Sequence, residues 1–234
     1  MTENNFIEEL KKINIDINEL QLQQLNRYYE LLVEWNEKIN LTAIIEKKDV
    51  YLKHFYDSLT ITKIIDLNKE ENLCDVGTGA GFPGIVLKIL FPNLKVTLID
   101  ALDKRIKFLN IIIEELDLKN IETIHARSEE YGVKNREMYD VVTARAVANL
   151  PVLLEYCVPL VKKEKYFIPL KANISQEIIN SQNAIKELSV VEENRIEFLL
   201  PIEESQRCII KFKKISNTNK KYPRKNAEIK KKPL

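Results

Sequence analysis

Four of the chain's five glycines, Gly77, Gly79, Gly81 and Gly84, fall within eight residues. Glycine makes up only about 2 % of the 234 residues, against roughly 7 % in an average protein. The cluster therefore marks the one place where the backbone must adopt turns that other residues resist. It lies in Asp75-Val76-Gly77-Thr78-Gly79-Ala80-Gly81-Phe82-Pro83-Gly84, between the apolar runs Leu73–Val76 and Ile85–Leu90. A strand, a glycine turn and a helix in that order leave unpaired N–H groups at the helix start. A nucleotide-like ligand can approach them without meeting a Cβ. Gly79, Gly81 and Gly84 satisfy GxGxxG, and Asp100 ends the next apolar run, Val96–Asp100. An acidic residue there is placed to accept hydrogen bonds from ribose hydroxyls.

The pattern on either side of the loop defines the fold class. Leu22, Leu25, Tyr28, Leu32, Trp35 and Ile39 step by three and four, as on one face of a helix. A shorter helix precedes it (Phe6, Leu10, Ile13), and a third is expected over about 48–65. Residues 1–66 thus read as an N-terminal helical cap. Beyond the loop, a helix over 104–118 is followed by strands at 121–126, 139–144 and 166–170. Further helices are expected at about 149–161 and 174–187. This alternation predicts α/β architecture, with parallel βαβ units and helices on both faces. The last two strands, about 189–200 and 207–214, are joined by Pro201-Ile202-Glu203-Glu204-Ser205. No helix fits there, so they should form an antiparallel hairpin at the sheet edge. The expected domain is a Rossmann-like, mostly parallel seven-stranded sheet over 67–215. After it, 216–234 reads as a basic tail with little structure of its own.

The formal net charge is +1, from 36 basic and 35 acidic residues. That total conceals a split: residues 211–234 hold ten basic residues and one acidic residue, Glu228, leaving −8 for residues 1–210. Lys220, Lys221, Arg224 and Lys225, with Tyr222 among them, suit contacts to nucleic-acid phosphates. Cys74, Cys157 and Cys208 are scattered, with no CxxC pair, which argues against a disulfide framework or a metal site. No apolar run approaches a membrane span, and the N-terminus lacks the pattern of a signal peptide. A cytoplasmic protein with no membrane partner is expected.

Two ligands suit the loop, S-adenosyl-L-methionine and NAD(P). Asp75 favours the first, because a carboxylate sits poorly beside a dinucleotide pyrophosphate and is placed to meet the methionine end. The terminal hairpin also matches methyltransferase sheets better than dehydrogenase sheets.

Over nearly its whole length the chain resembles the bacterial 16S ribosomal RNA (guanine-N7)-methyltransferases, the glucose-inhibited division protein B family. The resemblance rests on Trp35 with Asn40-Leu41-Thr42, His54 with Asp57-Ser58-Leu59, the loop Asp75–Gly84, and Asp100 with Lys104-Arg105 and Phe108-Leu109. It extends to Arg127-Ser128-Glu129-Glu130, Thr143-Ala144-Arg145-Ala146, Tyr222-Pro223-Arg224 and Pro233-Leu234. It implies the class I methyltransferase fold, S-adenosyl-L-methionine as cofactor, and 16S ribosomal RNA or the small ribosomal subunit particle as partner. A monomer is expected. Cofactor contacts are implied at Gly77, Phe82, Ser128, Glu129 and Arg145, beside Asp75, Gly79 and Asp100 from the loop reading. Two departures stand out: Asn226 near a tail position where the family usually has glycine, and Lys163-Glu164-Lys165 before the fifth strand.

The implied reaction makes modest chemical demands. Guanine N7 has a free lone pair and no proton, so it can attack the sulfonium methyl in line without a general base. The protein has to position the reactants and stabilise charge. Consistently, no cysteine lies in a nucleophile motif, and Thr143-Ala144-Arg145-Ala146 stands where an NPPY-like segment would serve amine methylation. Arg145, His54 and Asn40 are the candidates for catalytic work. The competing readings are an NAD(P)-dependent oxidoreductase and a non-catalytic rRNA-binding assembly factor.

Overall fold

A computed structural model describes residues 1–234. Seven strands form one sheet: β1 (Asn72–Val76), β2 (Lys95–Asp100), β3 (Ile121–His125), β4 (Tyr139–Arg145), β5 (Val161–Lys171), β6 (Val190–Leu199) and β7 (Gln206–Lys214). Their spatial order is β3-β2-β1-β4-β5-β7-β6. The first five run parallel, and β7 is antiparallel to both β5 and β6. The expected mostly parallel sheet with a terminal hairpin is therefore present. The chain leaves β1 for one side and β4 for the other, so the crevice above their C-terminal ends is the topological switch point where ligands bind in such sheets.

The helical cap shares its core with one face of the sheet. Helix α1 (Glu3–Lys12) buries Phe6 and Leu10, and α2 (Glu19–Ile39) buries Leu25, Tyr28, Leu31 and Leu32. A capping box between Asn18 and Gln21 satisfies the first N–H groups of α2. Gln21 also donates to the Ile89 carbonyl at 2.9 Å. Phe6, Tyr28 and Phe55 belong to the same apolar cluster as Phe82, Leu98 and Phe108. A second cluster on the other face joins Val142, Leu153, Phe167 and Phe212 to Tyr222 and Ile229.

Several elements differ from expectation. The helix expected over 48–65 is composite: α3 (Lys47–Asp49), a π-helical segment (Val50–Tyr56), α4 (Asp57–Leu59) and a 3-10 turn (Thr60–Lys63). Helix α5 (Gly84–Leu90) follows the loop, and α6 (Asp103–Glu115) follows β2. A short helix after β3, α7 (Ser128–Lys134), was not expected. Helix α8 ends at Cys157 (Leu150–Cys157), and β5 begins at Val161 rather than near 166. The lysines at the start of β5 obscure its apolar pattern. They are held there by charge, Lys162 on Asp140 at 2.9 Å and Lys165 on Glu70 at 2.5 Å. The helix expected over 174–187 is broken at buried Ser181 into α9 (Ser175–Asn180) and α10 (Gln182–Glu187).

The reading of 216–234 as a tail with little structure is incorrect. The segment folds back over α8 and ends in α11 (Asn226–Lys231). Tyr222 and Ile229 are buried. Arg136 donates to the carbonyls of Tyr222 and Thr218. Fully buried Glu155 accepts from the backbone N–H and the guanidinium of Arg224, the closest at 2.6 Å. A few apolar side chains, one buried charge pair and scattered hydrogen bonds hold the segment, so no periodicity announces it.

Candidate active site

Two cavities open above the C-terminal ends of the central strands. The first, about 300 Å³, is walled by Gly77 after β1, Asp100 at the end of β2, Ser128 and Glu129 after β3, and Ala146 and Val147 after β4. The second, about 470 Å³, is walled by His54, Asp57, Arg145, Ala146, Lys171 and Arg207, among others. Ala146 belongs to both, and its φ of +57° lies in the left-handed region. A non-glycine residue held there marks an over-determined turn. That turn carries the chain from Arg145 in one cavity to Val147 in the other.

The glycines act by conformation and by bareness. Gly77 has φ +68°, and a Cβ on it would lie 2.6 Å from Val147 Cγ2. Gly81 has φ +101°, and its Cβ would lie 2.6 Å from the Tyr28 hydroxyl. That hydroxyl donates to the Ala80 carbonyl at 2.5 Å, so α2 pins the loop from outside the sheet. Gly79 donates its N–H to Asp100 Oδ2 at 2.9 Å. Asp100 also accepts from Leu102 N–H and from Arg105. Its carboxylate thus ties the loop to the cavity wall.

Asp75 lies beneath the loop and does not line either cavity. Its Oδ2 accepts from Thr78 Oγ1 at 2.7 Å and from Gly84 N–H at 2.8 Å, while Oδ1 has no partner. Burial pushes its pKa up to about 6, against the downward pull of those two hydrogen bonds. Its placement is that of an internal brace for the loop. Phe82 is likewise turned inward, stacked on His54 at 4.4 Å between centroids and on Tyr28 at 5.3 Å. The Arg145 guanidinium lies 5.3 Å from the Phe82 ring centre.

Arg145 is the hub of the second cavity. Its Nη1 donates to Asp57 Oδ2 and to the Lys53 carbonyl, both at 2.9 Å. Its Nη2 lies 3.2 Å from His54 Nδ1. All three partners come from the π-helical segment or the residue after it, where a widened turn presents them to one guanidinium. A guanidinium only donates, so His54 Nδ1 must accept. Nε2 then carries the proton and points it at Thr42 Oγ1, 2.9 Å away. Burial and the Arg145 charge push the His54 pKa down to about 3. His54 is therefore a neutral strut between the Asn40-Leu41-Thr42 segment and Arg145. It has no free nitrogen with which to relay a proton.

Asn40 is not brought to either cavity. It is exposed and caps α2 in the left-handed conformation, with φ +48°. His125 is exposed, with Nε2 3.1 Å from the Ala101 carbonyl. Lys220 and Lys225 are exposed, Lys221 pairs with Glu187 at 3.0 Å, and Arg224 is committed to Glu155. Sequence reading missed Arg207 as a site residue. Its Nε donates to Asp57 Oδ1 at 2.8 Å, 150 residues away. Nothing local on β7 distinguishes this arginine from a surface one.

The family described as "rRNA small subunit methyltransferase G" matches residues 21–208. The chain belongs to this family. A relative from Lysinibacillus sphaericus, named ribosomal RNA small subunit methyltransferase G, is 52 % identical over 237 residues, covering 100 % of both chains. A Bacillus subtilis protein of the same name is 51 % identical, covering 98 % of this chain and 97 % of its own. Among solved structures, a SAM-dependent methyltransferase from Aquifex aeolicus has a TM-score of 0.54 at 16 % identity. It covers 77 % of this chain and 97 % of its own. A SAM-dependent O-methyltransferase from Thermotoga maritima also scores 0.54 at 16 % identity, covering 80 % and 72 %. The shared fold is that of Rossmann-like methyltransferases. The position of β7 between β5 and β6 departs from the 3-2-1-4-5-6 order of dinucleotide-binding sheets, against the oxidoreductase reading.

Proposed function

We propose that the chain transfers the methyl group of S-adenosyl-L-methionine to N7 of a guanine in 16S ribosomal RNA, by direct in-line attack without a general base. Family membership supplies the coarser part, methylation of small-subunit rRNA. The observation that carries the finer reading is the pair of cavities joined at Ala146, one suited to the cofactor and one to an extruded base.

The first cavity suits the cofactor by its chemistry. Gly77 leaves bare backbone that a Cβ would fill against Val147. Asp100 and Glu129 supply acceptors at the ribose and adenine ends, and both line the cavity. When bound, the cofactor supplies an electrophilic methyl on a positively charged sulfur. Gly77, Ser128 and Glu129 would position it, while Gly79, outside the cavity lining with its N–H tied to Asp100, and Asp75 and Phe82 would support the loop.

The second cavity suits a guanine nucleotide. Lys53, Arg145, Lys171 and Arg207 face Asp57 and Glu177 there, giving a local basic surplus on an otherwise acidic body. N7 points into the major groove, which in A-form RNA is deep and narrow, and a nucleotide turned out into this pocket would give it an open in-line approach to the methyl. His54 is neutral with both nitrogens engaged, both Asp57 oxygens accept from arginines, and Glu177 is paired with Lys171 at 2.8 Å. This suits a nucleophile that has no proton to lose. Arg145 keeps its Nε and one Nη2 hydrogen for the substrate, while Asp57 offsets its charge as the purine becomes cationic. Exposed Lys220 and Lys225 are left to touch rRNA phosphates. A monomer working in the cytoplasm agrees with this reading, and no helix is long and apolar enough to cross a membrane.

The test is nucleoside mass spectrometry of 16S rRNA from cells with and without the gene. Loss of one 7-methylguanosine, restored by the purified chain and S-adenosyl-L-methionine, is the expected result. An unchanged level would leave the assembly-factor reading in its place.

A further inference from the structure

The C-terminal segment contributes to the first cavity, although its sequence reads as a nucleic-acid tail. Asn226 and Lys230, one helical turn apart on α11, line that cavity together with Ser128, Glu129 and Tyr156. The segment is anchored on both helices that flank this end. A Cβ on Gly132 of α7 would lie 3.4 Å from Pro223 Cγ, so the bare helix surface there is where the chain rests. On α8, Glu155 holds Arg224 by its backbone and side chain. Glu155 is fully buried and Arg224 is its only charged partner within salt-bridge distance, so the pair is a committed anchor rather than a surface contact. The next residue of α8, Tyr156, donates its hydroxyl to Asn226 Oδ1 at 3.0 Å. That bond orients the carboxamide and leaves its nitrogen as a free donor.

We infer that this segment is a wall of the cofactor site, with Asn226 donating a hydrogen bond to the adenine ring and Tyr156 and the Arg224–Glu155 pair holding it in place. The inference rests on reading the first cavity as the cofactor site. Adenine presents ring-nitrogen acceptors, which a carboxamide N–H₂ complements. Lys230 covers the same end with its aliphatic stem and keeps its ammonium in water.

Isothermal titration calorimetry of the full chain tests this. Three compounds that share adenine would be titrated: S-adenosylmethionine, S-adenosylhomocysteine and 5′-methylthioadenosine. Asn226→Ala should weaken all three by a similar factor, roughly tenfold, as expected for one buried hydrogen bond. Tyr156→Phe should weaken them less, in the same direction, because the carboxamide stays but loses its orientation. Affinity for 16S rRNA should be unchanged in both variants. If Asn226→Ala binds all three compounds as the unsubstituted chain does, the inference falls. It falls equally if that variant weakens only rRNA binding. If the unsubstituted chain binds none of the three, the cofactor reading of the cavity fails first.

Discussion

Asp57 and Arg145, 88 residues apart in the chain, meet at 2.9 Å between the helical cap and the end of β4. The other Asp57 oxygen holds Arg207 from β7 at 2.8 Å. One carboxylate therefore sets the position of two arginines that arrive from different edges of the second cavity. Both arginines and the carboxylate are largely buried, so removing the central charge leaves two cations poorly compensated.

Asp57→Ala should lower kcat for rRNA methylation by about 100-fold or more, because Arg145 loses its fixed geometry. It should also cost about 3 kcal/mol of stability. KM for S-adenosyl-L-methionine should change little, since the first cavity is untouched. Steady-state methyl-transfer kinetics and urea unfolding check both parts. A variant with normal kcat would show that the arginines do not depend on Asp57.

His54 has a folded pKa of about 3, below its ordinary 6.5. Between those values the unfolded chain takes up a proton that the folded chain does not. This contribution to stability is thus fully present above pH 6.5 and is lost as pH falls toward 3. Denaturant midpoints should decline below pH 6.5, and His54→Gln should flatten that part of the profile. The methylation rate itself should show no ionisation near pH 6.5, as His54 stays neutral throughout.

Gly77→Ala should weaken cofactor binding by roughly tenfold or more and cost about 1–3 kcal/mol of stability, since it places a side chain at φ +68°. Part of the cost is steric, against Val147 at 2.6 Å. Val147→Ala in the same chain should recover that part and leave the conformational part. Calorimetric titration and thermal unfolding of the single and double variants separate the two.

Tyr28→Phe removes the hydroxyl that donates to Ala80 at 2.5 Å and leaves the ring stack on Phe82 intact. The carbonyl is left without this buried donor, so a loss of about 1–2 kcal/mol is expected. Cofactor affinity should fall by a smaller factor than in Gly77→Ala, because the loop loses one brace while its glycines remain. Equal affinity to the unsubstituted chain would mean that α2 does not hold the loop.

The loop and its surroundings were legible because their causes are local. Four crowded glycines require positive φ or close approach, and three of them, Gly77, Gly79 and Gly81, have positive φ. Strands β1, β2 and β4 appear as apolar runs because both faces of the sheet are covered. Asp100 could be named for a similar reason, as it ends the apolar run after the loop, whereas Arg145, Ser128 and Glu129 came from the family resemblance and lie at or just past strand ends. Asn40 sits in a motif, yet in the fold it caps α2 in the left-handed conformation and lines neither cavity.

By itself, then, the amino-acid sequence determined the α/β alternation, the glycine loop and the positions of the strand ends, all of which depend on neighbours within a few positions. Tertiary structure alone decided the rest. It turned Asp75 and Phe82 inward as braces, made His54 a neutral strut, brought Arg207 to Asp57 across 150 residues, and folded the basic C-terminal segment onto the first cavity. Net charge could not anticipate this last step. A tail rich in lysine looks solvated until one buried carboxylate, Glu155, claims Arg224 and draws the segment down with it.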